Sequence, residues 1–170
     1  MARYLTTGAM LSWLRPESVA DPACGDGSIV KTANSIRKIE QLYLGDISSP
    51  QIVELQQDRS LWSNRVEWFT GDAVAFLDKI VHVDAIVLTE ILEHLEDPAA
   101  LVRAARAKAT YLIASSPINE TEGQGNHEHV WSFSVPSYRQ LLEGAGWIPV
   151  AYQELRFYPP FYDFQLWVCR

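Results

Sequence analysis

The segment Val19-Ala20-Asp21-Pro22-Ala23-Cys24-Gly25-Asp26-Gly27-Ser28 constrains this chain more than any other. A short apolar run ends on a carboxylate, and a turn with two glycines leads into a stretch of helical spacing. Gly25 and Gly27 have no Cβ, so the backbone can take strained dihedrals and a ligand can press close to it. Dinucleotide enzymes place a glycine-rich loop at the same point, so the turn alone leaves the ligand open.

Strand-like and helix-like segments alternate on either side of it. The spacing predicts strands at 18–21, 41–46, 65–70, 84–89 and 110–115, and helices at 28–39, 51–60, 73–77, 99–107 and 135–143. An N-terminal helix ends near Leu14, ahead of Pro16, and 116–129 reads as loop from its Gly, Asn, Pro and Glu content. Alternation of this kind implies a parallel sheet with helices on both faces. Two last strands, 147–156 and 164–168, have no helix between them and are expected to pair antiparallel at one edge. The expected class is α/β: a doubly wound, Rossmann-like sheet, mostly parallel, with an antiparallel C-terminal edge hairpin.

With 170 residues, 48% of them apolar, the chain is long enough to bury a core as a single domain over 1–170. It contains no apolar run of membrane-spanning length, and its first residues lack the apolar core of a signal peptide. Cys24 and Cys169 are the only cysteines. A cytoplasmic protein with reduced thiols and no membrane partner is the expectation. The net charge of −7 argues against a protein that holds nucleic acid by its phosphates. Lys31, Arg37 and Lys38, like Arg103, Arg106 and Lys108, read as solvated helix faces.

Three of the first four strands end on or just before an acid, Asp21, Asp46 and Asp72, and the fourth runs into Thr89-Glu90. In doubly wound sheets ligands bind at these carboxyl ends. Asp46 follows the glycine turn by about twenty residues, the spacing at which a carboxylate accepts both hydroxyls of a ribose. Asp72, one strand further out, is placed to meet the amino edge of an adenine. Any one of these acids alone is an ordinary solvated strand end; together they describe an adenosine site.

The glycine turn, Gly45-Asp46-Ile47-Ser48, Gly71-Asp72-Ala73 and Asp84-Ala85-Ile86-Val87-Leu88-Thr89-Glu90-Ile91-Leu92-Glu93-His94-Leu95 together resemble the class I S-adenosylmethionine-dependent methyltransferases. The match is to the small members that carry a Glu-x-x-Glu-His-Leu signature. Ser115-Ser116-Pro117-Ile118-Asn119 and the segment from His129 to Trp147 are similar to that group's closing loops. The resemblance implies S-adenosylmethionine as cofactor and S-adenosylhomocysteine as product. It implies that Asp21, Ala23, Cys24, Gly25 and Gly27 hold the methionine part and Asp46 the ribose. Ile47 would pack on the adenine, Asp72 and Ala73 would meet its amino edge, and Thr89 and Glu90 would face the methyl group. Pro22-Ala23 departs from the common Leu-Gly and gives an Asp-Pro-Ala-Cys-Gly also found in DNA adenine methyltransferases. Those carry an Asn/Asp/Ser-Pro-Pro-Tyr/Phe motif after strand four, where this chain has Thr89-Glu90-Ile91-Leu92.

Methyl transfer is an in-line displacement, and a base can remove the acceptor's proton. The candidates are Glu90, His94, His127 and His129, histidine because it titrates near neutrality. If a helix follows strand four, Glu90, Glu93 and His94 share one face by their spacing. The expected activity is methyl transfer to an oxygen or nitrogen of a small-molecule acceptor, with no metal. The alternative is a metal held by Glu90, Glu93, His94 and His127 or His129, which resembles the small-RNA 3′-terminal ribose 2′-O-methyltransferases. Another is a non-catalytic cofactor-binding subunit. Trp131, Phe133, Tyr158, Phe161 and Tyr162 are candidates for an acceptor pocket. A chain with so few insertions is expected to have an open site, or one completed by a partner subunit or a second copy.

Overall fold

The computed structural model describes residues 2–61, 65–120, 127–157 and 163–170. The run Ala85-Ile86-Val87-Leu88 is fully buried on both faces, as a strand inside a parallel sheet must be. It forms the middle of β4 (Val83–Thr89), beside β1 (Ser18–Asp21) and β5 (Ala109–Pro117). With β2 (Gln41–Asp46), β3 (Arg65–Thr70), β6 (Pro149–Leu155) and β7 (Phe164–Cys169), these strands make one seven-stranded sheet of order β3-β2-β1-β4-β5-β7-β6. The first five strands are parallel, whereas β7 pairs antiparallel with both β5 and β6. This is the expected Rossmann-like arrangement.

Alternation along the strands sorts the core into two layers. Ala20, Ile86, Leu88, Leu112 and Ala114 pack with Phe76, Leu77, Leu101, Val102, Tyr138, Leu142 and Trp147. Those residues come from α4 (Ala73–Lys79), α5 (Pro98–Lys108), α6 (Val135–Gly144) and the segment just after it. Val19, Leu42, Leu44, Ala85, Val87 and Ile113 face the other way, onto α1 (Ala2–Leu14), α2 (Ser28–Ile36) and α3 (Ser49–Gln56). Trp147 and Trp167 belong to the core, as does Phe133. That corrects Phe133 as an acceptor-pocket candidate: its ring packs edge-on against Tyr138.

Two helices stop earlier than the spacing predicts. After Ile36 the backbone turns extended at Arg37, and Asn34 Oδ1 accepts the Ile39 N–H at 2.9 Å, so a side chain replaces the next helical carbonyl. After Gln56 the chain makes a separate 3₁₀ turn, Arg59–Leu61. At the lower end of the sheet Asp84 Oδ2 accepts the N–H groups of Glu17 and Ser18, at 2.8 and 2.9 Å. That clamp fixes β1 against β4. The connections diverge between these two strands, which opens a crevice above their carboxyl ends. Among the described residues no helix is long and apolar enough to cross a membrane.

Candidate active site

The glycine turn occupies that crevice. Gly25 and Gly27 have φ of 50° and 70°, the left-handed region that glycine enters without steric cost. A Cβ built on Gly25 would meet nothing within 4 Å, so the residue borders open space. The turn is tied to β2 twice: Cys24 N–H donates to the Gly45 carbonyl at 2.9 Å, and Gly25 N–H donates to Asp46 Oδ2 at 2.9 Å. The other oxygen of Asp46 accepts Ser48 N–H, also at 2.9 Å. A carboxylate can accept about four hydrogen bonds, so Asp46 keeps acceptor capacity for a pair of hydroxyls.

Asp21, at the tip of β1, is 2% exposed. Its Oδ1 accepts a long bond, 3.4 Å, from Ala23 N–H. Burial raises its pKa to about 7, against the Ala23 hydrogen bond and reinforced by the charge of Asp46. Burial and the same two acids also push the Cys24 thiol far up, so it is no nucleophile. Tyr4, Asp21, Gly25, Asp26, Thr89 and Glu90 line a cleft of about 210 Å³ here.

Ala23 and Glu90 also border a second cleft, of about 350 Å³, with Asp46, Ile47, Asp72, Ala73 and His94. Ile47 is 82% exposed at the rim of this cleft. Asp72 caps α4, its Oδ1 accepting from Val74 and Ala75 at 2.9 Å each. Asp21, Ala23, Cys24, Gly25, Asp46, Ile47, Asp72, Ala73, Thr89 and Glu90 therefore all border one of the two joined clefts. Gly27 stands just behind, as the N-cap of α2.

No helix carries Glu90, contrary to the shared face expected from its spacing. Glu90 has φ of 54°, and a 3₁₀ turn, Leu92–His94, follows. Its unusual backbone is held by β5: Glu90 N–H donates to the Ser115 carbonyl at 3.1 Å, and Ser115 Oγ donates to Glu90 Oε1 at 2.7 Å. Strain maintained by neighbouring structure in this way is typical of active sites.

The segment 127–131 folds onto the 3₁₀ turn. Val130 and Trp131 N–H groups both donate to the Glu93 carbonyl, at 2.7 and 3.1 Å, and Trp131 Nε1 donates to Leu95 at 2.8 Å. His94 and His129 meet edge to face, ring centroids 4.5 Å apart. His94 Nδ1 lies 3.2 Å from the Glu128 carbonyl, which can only accept, so in the neutral ring Nδ1 carries the proton and Nε2 the free lone pair. His129 Nδ1 lies 2.6 Å from Glu120 Oε2, with both side chains nearly buried. Glu93, His94 and His129 bring ligand-type atoms within 4.8 Å of one another. His127 is exposed in the turn before them and takes no part in that cluster. Tyr158, Phe161 and Tyr162 lie outside the described residues, and Trp131 stays partly exposed, stacked on Phe133.

The sequence reading missed Tyr4, Ser115 and Glu120. Ser115 opens the Ser-Ser-Pro-Ile-Asn segment, which was its signal, whereas Tyr4 and Glu120 carry none.

A family model described as "Methyltransferase domain" matches residues 20–108, more than half of the chain. The chain belongs to this family, and its class is that of S-adenosylmethionine-dependent methyltransferases. Among solved structures it is similar to magnesium protoporphyrin IX methyltransferase from Synechocystis PCC 6803 with bound S-adenosylhomocysteine. There the TM-score is 0.74 at 19% identity, covering 99% of this chain and 83% of that one. The methyltransferase domain of bacterial CtHen1-CN gives 0.75 at 19% identity, with 98% and 96% coverage. The 1,6-didemethyltoxoflavin-N1-methyltransferase of Burkholderia thailandensis gives 0.75 at 21% identity, with 97% and 76% coverage. No curated protein matches the sequence.

Proposed function

We propose that this chain, a small methyltransferase of the Glu-x-x-Glu-His-Leu type, moves a methyl group from S-adenosylmethionine to an oxygen or nitrogen of a small-molecule acceptor. The observation that carries the donor assignment is Asp21, a nearly fully buried carboxylate at the mouth of a glycine turn, with no cation paired to it among the described residues. A buried acid in that state calls for a cationic ligand, and the amino group of S-adenosylmethionine supplies one. Asp46, with spare acceptor capacity, takes the ribose hydroxyls, and exposed Ile47 packs on the adenine. Asp72 and Ala73 border the adenine edge. Thr89 and Glu90 face the reacting end.

When bound, S-adenosylmethionine supplies a methyl group on a sulfonium, open to in-line attack. The chain's own part is alignment and proton removal. His94 borders the second cleft, and its Nε2, left with the free lone pair by the Nδ1 bond to Glu128, takes the acceptor's proton. Glu90, locked by Ser115, shapes the floor between donor and acceptor. The acids around both clefts disfavour an anionic acceptor. The chain is read as one domain and as cytoplasmic.

The test is twofold. S-adenosylhomocysteine raises the melting temperature, and labelled methyl from S-adenosylmethionine appears on members of a panel of hydroxyl and amine acceptors. No thermal shift at large ligand excess removes the donor assignment.

The approach of Glu93, His94 and His129 favours a second reading, in which a divalent ion orients two hydroxyls of an RNA 3′-terminal ribose. On the first reading, methyl transfer in excess EDTA stays within about twofold of the untreated rate. On the second it collapses, returns with Mn²⁺, and the chain takes up one Mn²⁺ that His129→Ala fails to bind.

A further inference from the structure

We propose that Tyr138, on α6, is a positioning residue: its phenol fixes the Ser115 carbonyl that holds Glu90 between the two clefts. This rests on the methyl-transfer reading above. Tyr138 lines neither cleft and is fully buried in the core. Its hydroxyl nevertheless reaches out of its own helix and donates to the Ser115 carbonyl on β5, at 3.1 Å. Burial, reinforced by the charges of Glu93 and Glu90, raises the phenol pKa, so the proton stays on the hydroxyl. A phenylalanine would fill the same space with no polar atom to bury. The bond to Ser115 is what the hydroxyl adds.

The backbone of Glu90 depends on that carbonyl. It accepts Glu90 N–H at 3.1 Å, so it carries two donors, one from the tip of β4 and one from α6. A carbonyl oxygen has two lone pairs, and both are taken. Its direction is then fixed, and with it the left-handed backbone of Glu90, whose φ is 54°. The side chain of the same serine holds Glu90 Oε1 at 2.7 Å. Strain of this kind persists only where the surroundings over-determine it. Glu90 borders both clefts, so a rotation at this residue shifts the floor on which donor and acceptor meet.

Tyr138 is itself set by the segment that closes over the 3₁₀ turn. Phe133 packs edge-on against its ring, centroids 5.1 Å apart, and Trp131 stacks on Phe133 at 6.1 Å. A capping box between Ser134 and Ser137 starts α6 between the two rings and fixes one relative to the other. Trp131 in turn bonds the turn that carries His94, through N–H to the Glu93 carbonyl and Nε1 to the Leu95 carbonyl. One aromatic series, Trp131, Phe133 and Tyr138, thus grips the stretch from Glu90 to Leu95 at both ends. Tyr138 lies outside the 20–108 segment that the family model matches.

Tyr138→Phe tests this with two readouts. Hydrogen exchange followed residue by residue should show Glu90 N–H exchanging about tenfold faster, relative to Val87 N–H in the middle of β4. Taking the ratio removes any general loss of stability. In methyl transfer to the panel of hydroxyl and amine acceptors, kcat falls about tenfold, while KM for S-adenosylmethionine stays within about twofold. Ser115→Ala, which removes the bond to Glu90 Oε1, gives a similar fall. The double variant stays within about threefold of the lower single one, because both act through Glu90. An unchanged exchange ratio overturns the inference. So does faster exchange at unchanged kcat, which leaves the hydroxyl a structural role only, and so do losses that multiply in the double variant. A parent chain that transfers methyl to no acceptor overturns the methyl-transfer reading instead, and the exchange ratio still decides whether Tyr138 holds Glu90.

Discussion

Asp46→Ala is expected to weaken S-adenosylhomocysteine at least about 100-fold, or about 2.7 kcal/mol, the largest effect of any single substitution in the donor site. A carboxylate shared by two ribose hydroxyls makes two charge-assisted bonds, each worth about 1.5–3 kcal/mol. The same side chain holds Gly25 N–H and Ser48 N–H, so its loss also releases the glycine turn from β2. The free variant melts lower for that reason. Titration well below that temperature separates the two consequences. Asp46→Asn is the informative partner: one amide oxygen remains to accept, and the amide nitrogen cannot. It should retain part of the turn's anchoring and still lose most of the affinity. A dissociation constant for Asp46→Ala within threefold of the parent would place the ribose elsewhere.

The parts of this site that were legible in the sequence are those that local chemistry decides. A fully apolar run at 85–88 belongs to a buried parallel strand, and an acid at or just after the end of each of the first four strands is placed by the strand itself. The glycine turn was equally plain, since both glycines adopt left-handed backbone that other residues resist. What was hidden depends on distant partners. The i, i+3, i+4 spacing of Glu90, Glu93 and His94 mimics a helix face, but two hydrogen bonds with Ser115, one donated and one accepted by Glu90, hold it out of helical geometry. Choosing between His127 and His129 required the packing of 127–131 onto the 3₁₀ turn, and Glu120 enters only through its contact with His129. Phe133 sits among loop residues in the sequence and in the core of the fold, because Tyr138 on α6 packs against it.

Acidification is expected to weaken S-adenosylhomocysteine about 25-fold between pH 7.5 and 5.5, through the proton on Asp21. Burial raises this group from 3.8 to about 7 in the free chain, so below neutrality the carboxyl is largely protonated. An ammonium ligand binds the ionised form, so binding must first release that proton. Affinity then falls about tenfold for each pH unit below 7 and is level above it. The sign for folding is opposite to that of an ordinary salt-bridged aspartate. The folded free chain holds a proton that the unfolded chain has lost between pH 3.8 and about 7, so stability falls as pH rises through that window. Ligand therefore protects least where the free chain is relieved of the buried charge, and most where it must carry it. Asp26 and Glu90 share the cleft and Asp46 borders the joined one, so the assignment to Asp21 needs its own control. Asp21→Asn should bind weakly at every pH with the slope gone, and 5′-methylthioadenosine should titrate flat in both chains. A parent chain whose affinity stays constant from pH 5.5 to 8, or an Asp21→Asn variant that retains the slope, would move the amino group of the donor away from Asp21.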